Sequence, residues 1–85
     1  MRILCVEDDK VFADILGRAF EQGGFEVVLA TNGEEGLKKA TDELPDLIVL
    51  DIGLPKKDGF EVLETLKADA ELRHIPVMML SRLST

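Results

Sequence analysis

The chain has one cysteine, Cys5, among its 85 residues. That excludes an intrachain disulfide and makes a reducing, cytoplasmic setting the default expectation. In its apolar surroundings Cys5 reads as a small hydrophobe. Bases are also scarce. Ten Lys and Arg against 17 Asp and Glu give a formal net charge of −7, which argues against non-specific adhesion to nucleic acid or to an anionic membrane. No apolar run approaches the ~20 residues a membrane helix needs, and the first residues do not have the form of a signal peptide. Repeats, low-complexity tracts and linkers are absent. The single histidine, His74, has neither a second His nor a Cys at zinc-ligand spacing, and reads as a surface loop residue.

What is present is alternation. At this length the chain is one small domain, residues 1–85. Arg2–Val6 reads as a strand, followed by a helix that Asp9 can cap. That helix carries Val11, Phe12, Ile15, Leu16, Ala19 and Phe20 at helical spacing, and Gly23-Gly24 stops it. Phe25–Ala30 is a second strand. Thr31-Asn-Gly-Glu34 fits a capping box that opens a second helix, with Leu37 and Ala40 facing inward and Lys38 and Lys39 on the solvated face. Pro45 lies beyond its end. Asp46–Leu50 is a continuous apolar strand, Gly59–Asp69 a third helix, and Val77–Leu80 a fourth strand, with Met78 and Met79 assigned to packing. The pattern β-α-β-α-β-α-β predicts an α/β fold with a parallel sheet, right-handed crossovers and helices on both faces.

The acids carry the chemistry. Glu7-Asp8-Asp9 follows the first strand, and Asp51 ends the third. Open α/β sheets bind ligands at the carboxyl ends of their strands. Adjacent strands that end in acids converge on one acidic pocket, which suits a hard divalent cation. Taken one at a time, these acids could equally be solvated loop carboxylates. Their shared placement at strand ends favours a site.

Glu7-Asp8 after strand one, and Asp51-x-x-Leu-Pro-x-x-Asp-Gly59, closely resemble the receiver domain of two-component response regulators. The resemblance runs from Met1 to about Ser81. It implies a flavodoxin-like sheet of strand order 2-1-3-4. It also implies roles. Asp51 would be the phosphoacceptor, served by a histidine kinase, a phosphotransfer protein or a small phosphodonor. Asp8 would be a direct Mg²⁺ ligand, Glu7 a carboxylate acting partly through water, and the Gly53 backbone carbonyl a third ligand. Ser81 would be the switch hydroxyl, and Pro55 and Gly59 would shape the loop after the acceptor. Such a module is not a turnover enzyme, although self-phosphorylation and dephosphorylation at Asp51 are within its chemistry.

The sequence departs from the family pattern at its end. The family's fourth helix, fifth strand with its Lys, and fifth helix do not follow Thr85. Lys56 and Lys57 sit in the loop after Asp51 and are poor substitutes for that Lys. The expectation is a receiver domain truncated after strand four, with the outer side of the first helix (Val11, Ile15 or Phe20) and the edge of strand four uncovered. Two chains could pair there as a homodimer. The alternative function is a receiver-derived interaction or oligomerisation module that carries no phosphate. A magnesium phosphohydrolase is disfavoured, because Asp51-Ile-Gly53 lacks a second acid two residues on to act as general acid.

Overall fold

The structure is a computed structural model that describes residues 1–54 and 58–81. Its elements are β1 (Arg2–Val6), α1 (Lys10–Gln22), β2 (Glu26–Ala30), α2 (Gly33–Glu43), β3 (Leu47–Asp51), α3 (Gly59–Ala68) and β4 (Val77–Leu80). The order and types match the alternation read in the sequence, with ends moved by a residue or so. The sheet is parallel throughout, in the order β2-β1-β3-β4. This is the flavodoxin-like order expected for a receiver.

The core has two unequal layers. Leu4, Val6, Ile48 and Leu50 point to one face, where they pack with Ala40 of α2 and Val62 and Leu66 of α3. Ile3, Cys5 and Val49 point to the other, against Phe20, Phe25, Val27, Leu29, Leu47 and Leu80. Buried parallel strands need apolar side chains on both faces, and the unbroken apolar runs of β1 and β3 supply them.

The helix ends explain the chain reversals. Asp9 caps α1, its Oδ1 accepting from the amides of Val11 and Phe12 at 3.0 and 3.1 Å. At the other end Gly24 takes φ +91°. Gly24 N–H donates to Glu21 O at 3.0 Å, and Phe25 N–H to Phe20 O at 3.1 Å. These are the two bonds of a Schellman motif, and the accompanying apolar contact is the edge-to-face pair of Phe20 and Phe25, with ring centroids 6.4 Å apart. Gly36 lets α2 approach β1, since a Cβ there would stand 2.8 Å from Val6 Cγ2.

Three sequence expectations need correction. The cap of α2 is Asn32, not Thr31: its Oδ1 accepts from Glu35 N–H at 2.9 Å, and the Glu35 carboxylate reaches back to Thr31. The reciprocal logic of the capping box holds, one residue later. In α1 the buried residues are Ala13 and Gly17 rather than the large residues at helical spacing; Val11 and Ile15 are 70% and 58% exposed, as expected of an uncovered outer side, while Phe20 is half-buried. Small residues let the helix lie close to the sheet, and the larger ones are displaced to its flank. Lys39 is not simply solvated. Its Nζ donates to Leu29 O at 2.6 Å, occupying a carbonyl of edge strand β2.

Candidate functional site

Parallel register sets the site. β1 and β3 are neighbours, and Val6 pairs with Leu50. The next residue on each strand is therefore an acid, Glu7 on one and Asp51 on the other. One carboxylate oxygen from each of Glu7, Asp8 and Asp51 lies within 4.8 Å of the others. Glu7 and Asp51 are only 2% and 4% exposed, while Asp8 is exposed. The pocket thus has two acids in its floor and one at its mouth.

Backbone groups hold these side chains. Glu7 N–H donates to Ala30 O at 2.9 Å, extending the pairing with β2 past the end of β1. Glu7 Oε2 accepts from Asp9 N–H at 2.9 Å, and Asp9 in turn caps α1. A single turn therefore orients Glu7 and anchors the helix. On the other side, Asp51 Oδ1 accepts from Gly53 N–H at 3.2 Å. Ile52 N–H donates to Leu80 O at 3.0 Å, and Gly59 N–H to Ile52 O at 2.9 Å. A Cβ on Gly59 would stand 2.5 Å from Asp51 O and 2.7 Å from Ile52 Cα. Only glycine permits α3 to start that close to the end of β3.

The remaining predicted residues fall at the same end of the sheet. Gly53 is exposed, two residues past Asp51. Ser81 is exposed and follows Leu80, which pairs with Asp51. Pro55, Lys56 and Lys57 lie outside the described residues. His74 is exposed at the opposite end, where it lines a larger cavity of about 390 Å³ with Leu44, Pro45, Asp46, Glu71, Ile75 and Pro76. That cavity is remote from the acids. One supporting residue was missed in the sequence: Asp58 caps α3, its Oδ1 accepting from Glu61 N–H at 3.0 Å. The pattern Asp58-x-x-Glu61 before an apolar helix was the available signal.

The donor set fits a hard cation. All of the converging side-chain ligand atoms are carboxylate oxygens, with no nitrogen or sulfur among them. Magnesium favours such a set and keeps coordination positions for water and phosphate oxygens. Three carboxylates gathered this closely repel one another when ionised, which a bound cation would relieve.

The sequence profile of the response regulator receiver domain matches residues 3–85, and the chain belongs to that family. It is 44% identical over 80 residues to the alkaline phosphatase synthesis transcriptional regulatory protein PhoP of Bacillus subtilis, covering 94% of this chain and 32% of that protein. It is 42% identical over 76 residues to the polar-differentiation response regulator DivK of Brucella anthropi, covering 89% of this chain and 62% of that one. The chain thus spans about a third of one relative's length and under two thirds of the other's. Among solved structures, the N-terminal domain of a response regulator receiver protein from Methanoculleus marisnigri superposes with a TM-score of 0.93 at 38% identity, over 99% of this chain and 68% of that one. The Mn(2+)-bound form of response regulator Rcp1 gives 0.85 at 31% identity, over 99% and 67%.

Proposed function

We propose that residues 1–85 act as one phosphoacceptor unit of a phosphorelay, with Asp51 as the residue phosphorylated. The observation that carries this reading is the convergence of buried Asp51 with Glu7 and Asp8, their carboxylate oxygens within 4.8 Å. The donors are a histidine kinase, a phosphotransfer protein or a small phosphodonor. An Asp51 oxygen attacks phosphorus, the bond from phosphorus to the donor breaks, and the donor group leaves with the electron pair. When the donor is a phosphohistidine, the departing imidazole then takes up a proton.

Mg²⁺ would neutralise the charge that gathers between the attacking carboxylate and the phosphoryl oxygens. In this reading Asp8 and Asp51 would hold the ion directly, Glu7 would act partly through water, and the Gly53 carbonyl would be a further protein ligand. The manganese-bound relative supports a divalent ion in this type of fold. Ser81 donates its hydroxyl toward the phosphoryl group from the end of the neighbouring strand. The unit is a signalling switch in the cytoplasm, one that is phosphorylated and dephosphorylated at Asp51 without turning over a substrate. Its net charge of −7 argues against nucleic-acid contacts through this domain. Among the described residues no helix is long and apolar enough to cross a membrane.

Intact mass after incubation with acetyl phosphate tests the reading. One phosphoryl adduct is expected, dependent on Mg²⁺ and lost in Asp51→Asn. A folded chain that gains no adduct would overturn it. A second reading, an interaction module without phosphate, draws on the surface. Val11, Ile15 and Met78 are 70%, 58% and 48% exposed, and β4 is an edge strand. Pairing of two chains across the β4 edge or the α1 face would cover them. A light-scattering mass that stays monomeric across micromolar concentrations would remove that reading.

A further inference from the structure

The cavity of about 390 Å³ at the far end of the sheet has no part in the phosphoacceptor reading. Its volume falls in the range of small-molecule pockets, about 300–1,000 Å³. One wall is the connection from α2 into β3, and the other is the segment from α3 into β4. Each wall gives an apolar residue followed by a proline or preceded by one: Leu44-Pro45 on one side, Ile75-Pro76 on the other. Pro45 and Ile75 are buried, and two of the chain's three prolines stand here. Backbone bonds hold the walls in place. Ile48 N–H donates to Pro76 O at 3.0 Å and ties one wall to the other. Asp69 Oδ1 accepts from the amides of Glu71 and Leu72 at 2.8 and 3.2 Å and fixes the turn that carries Glu71.

Two further observations meet at this place. The first is Leu44. It takes φ 45° and ψ 62°, a left-handed conformation that is costly for a bulky side chain, and that side chain is exposed. Glycine would end α2 at less cost. Strain of this kind gathers at ligand sites, and the leucine gives the cavity an apolar wall. The second is charge of one sign. Asp46 and Glu71 line the cavity, and no Lys or Arg does. Neither acid makes an ion pair among the described residues. Arg2 holds Asp46 by its backbone amide, 2.8 Å from Oδ2, while its guanidinium pairs with Glu26 and Glu43 at 2.6 and 3.1 Å. Lys67 is engaged as well, its Nζ donating to Arg73 O and Ile75 O at 3.2 and 3.4 Å.

We propose that this cavity binds a small organic cation, a compact apolar body that carries one primary ammonium. The inference does not depend on the phosphoacceptor reading. The apolar body is buried against Leu44, Pro45, Ile75 and Pro76. The ammonium has three donors, and the Asp46 and Glu71 carboxylates accept them in charge-assisted bonds. His74 stands in the same wall as Glu71 and offers a flat ring to the body of the ligand. A metal ion is a poorer occupant. Among the described residues, the His, Cys, Asp and Glu side chains whose ligand atoms converge in a group of three are Glu7, Asp8 and Asp51, at the other end of the sheet.

The test is a titration followed by amide proton–nitrogen correlation spectra. The probe is benzylammonium, with benzyl alcohol as its neutral counterpart of the same size and benzoate as the anionic one. Benzylammonium should give saturable shifts centred on Leu44, Asp46, Glu71, His74 and Ile75. Both acids are exposed, so its preference over benzyl alcohol should be about tenfold rather than larger. Benzoate should not bind. Glu71→Lys should abolish the preference for the cation. Leu44→Gly should weaken benzylammonium about tenfold by removing the apolar wall, without lowering the unfolding midpoint, since glycine accepts the left-handed conformation. Binding lost from a chain of undiminished stability belongs to the cavity and not to the fold. Asp51→Asn should bind the probe as the unsubstituted chain does. Equal affinity for benzylammonium and benzyl alcohol, shifts centred on Glu7, Asp8 and Asp51, or full affinity in both Leu44→Gly and Glu71→Lys would each overturn the proposal and leave the phosphoacceptor reading intact.

Discussion

Three glycines divide by what surrounds them. Gly17 lies mid-helix, and a Cβ there would meet Val27 Cγ1 at 3.7 Å and Leu29 Cδ2 at 3.8 Å, ordinary contact distances. Gly17→Ala should stabilise the fold by about 0.5–1 kcal/mol, because alanine is the better helix former and its methyl fits. Gly36→Ala adds the same methyl 2.8 Å from Val6 Cγ2 and should cost about 1–3 kcal/mol. Urea unfolding of the two variants measures both, and a Gly36→Ala gain would show that α2 can retreat from β1 freely. Gly59 is the case tied to function, since any side chain there would push on the Asp51 carbonyl. Cys5 gives a probe at the same scale. Burial pushes its thiol up to about 11 from an ordinary 9.0. The folded thiol therefore keeps its proton where the unfolded one has lost it. The stability this represents is present below pH 9 and lost as pH rises toward 11. Maleimide should accordingly label Cys5 only through opening of the sheet, at a rate that rises with urea along the unfolding curve. Prompt labelling of the native chain would contradict the burial of β1.

Helix α2 shows what could be read at the level of elements and what could not. Its position, its inward Ala40 and the presence of a reciprocal cap were legible, because Ser, Thr, Asn and Asp followed by Glu mark helix starts by a known bond pattern. Which of Thr31 and Asn32 supplies the cap was not legible, since both side chains accept hydrogen bonds. The structure makes Glu35 the reciprocal acid, and the Thr31 amide holds its carboxyl below the usual range. A depressed carboxyl stabilises the fold above its unfolded pKa, and that contribution is lost as pH falls through its folded value. The stability gap between the native chain and Glu35→Gln should therefore narrow as the pH drops through the carboxylate range. A constant gap would mean the charge plays no part. Helix α1 misled for a different reason. Periodicity weighs large apolar residues, whereas close helix-to-sheet packing is made by the small ones, Ala13 and Gly17. The exposure of Val11 and Ile15 followed instead from the family pattern. Leu44 had no sequence signal: it ends α2 at φ 45°, a conformation glycine or asparagine would normally mark. The acids at the site were legible because they stood directly after apolar strands.

For the molecule as a whole, the acidic site and the stability are coupled. Three carboxylates gathered within 4.8 Å repel one another when ionised, and a divalent cation bound only by the folded state stabilises it by mass action. Millimolar Mg²⁺ should raise the thermal midpoint, and the rise should shrink in Asp51→Asn and again in Asp8→Asn. An equal rise in all three proteins would assign the effect to general screening of the net charge of −7 instead. The surface tells a related story about distribution. Among the described residues one face of the sheet is roofed by α2 and α3 and the other by α1, and Met78 of β4 is 48% exposed.

The strand order also has a history in time. β1 lies in the interior of the sheet, with Arg2 paired to Glu26 and Ile3 to Leu47. Of the four strands it is the first to emerge from the ribosome, while both of its neighbours are still unmade. No adjacent hairpin can shelter it, because every pairing in this sheet is parallel and spans a helix. The nascent chain therefore carries the apolar side chains of β1 bare until β2 and then β3 are translated. Folding must wait for distant contacts, which slows it and exposes it to association. The same arrangement that brings Glu7 beside Asp51 in the finished protein thus makes β1 a strand that must be sheltered while its neighbours are being built.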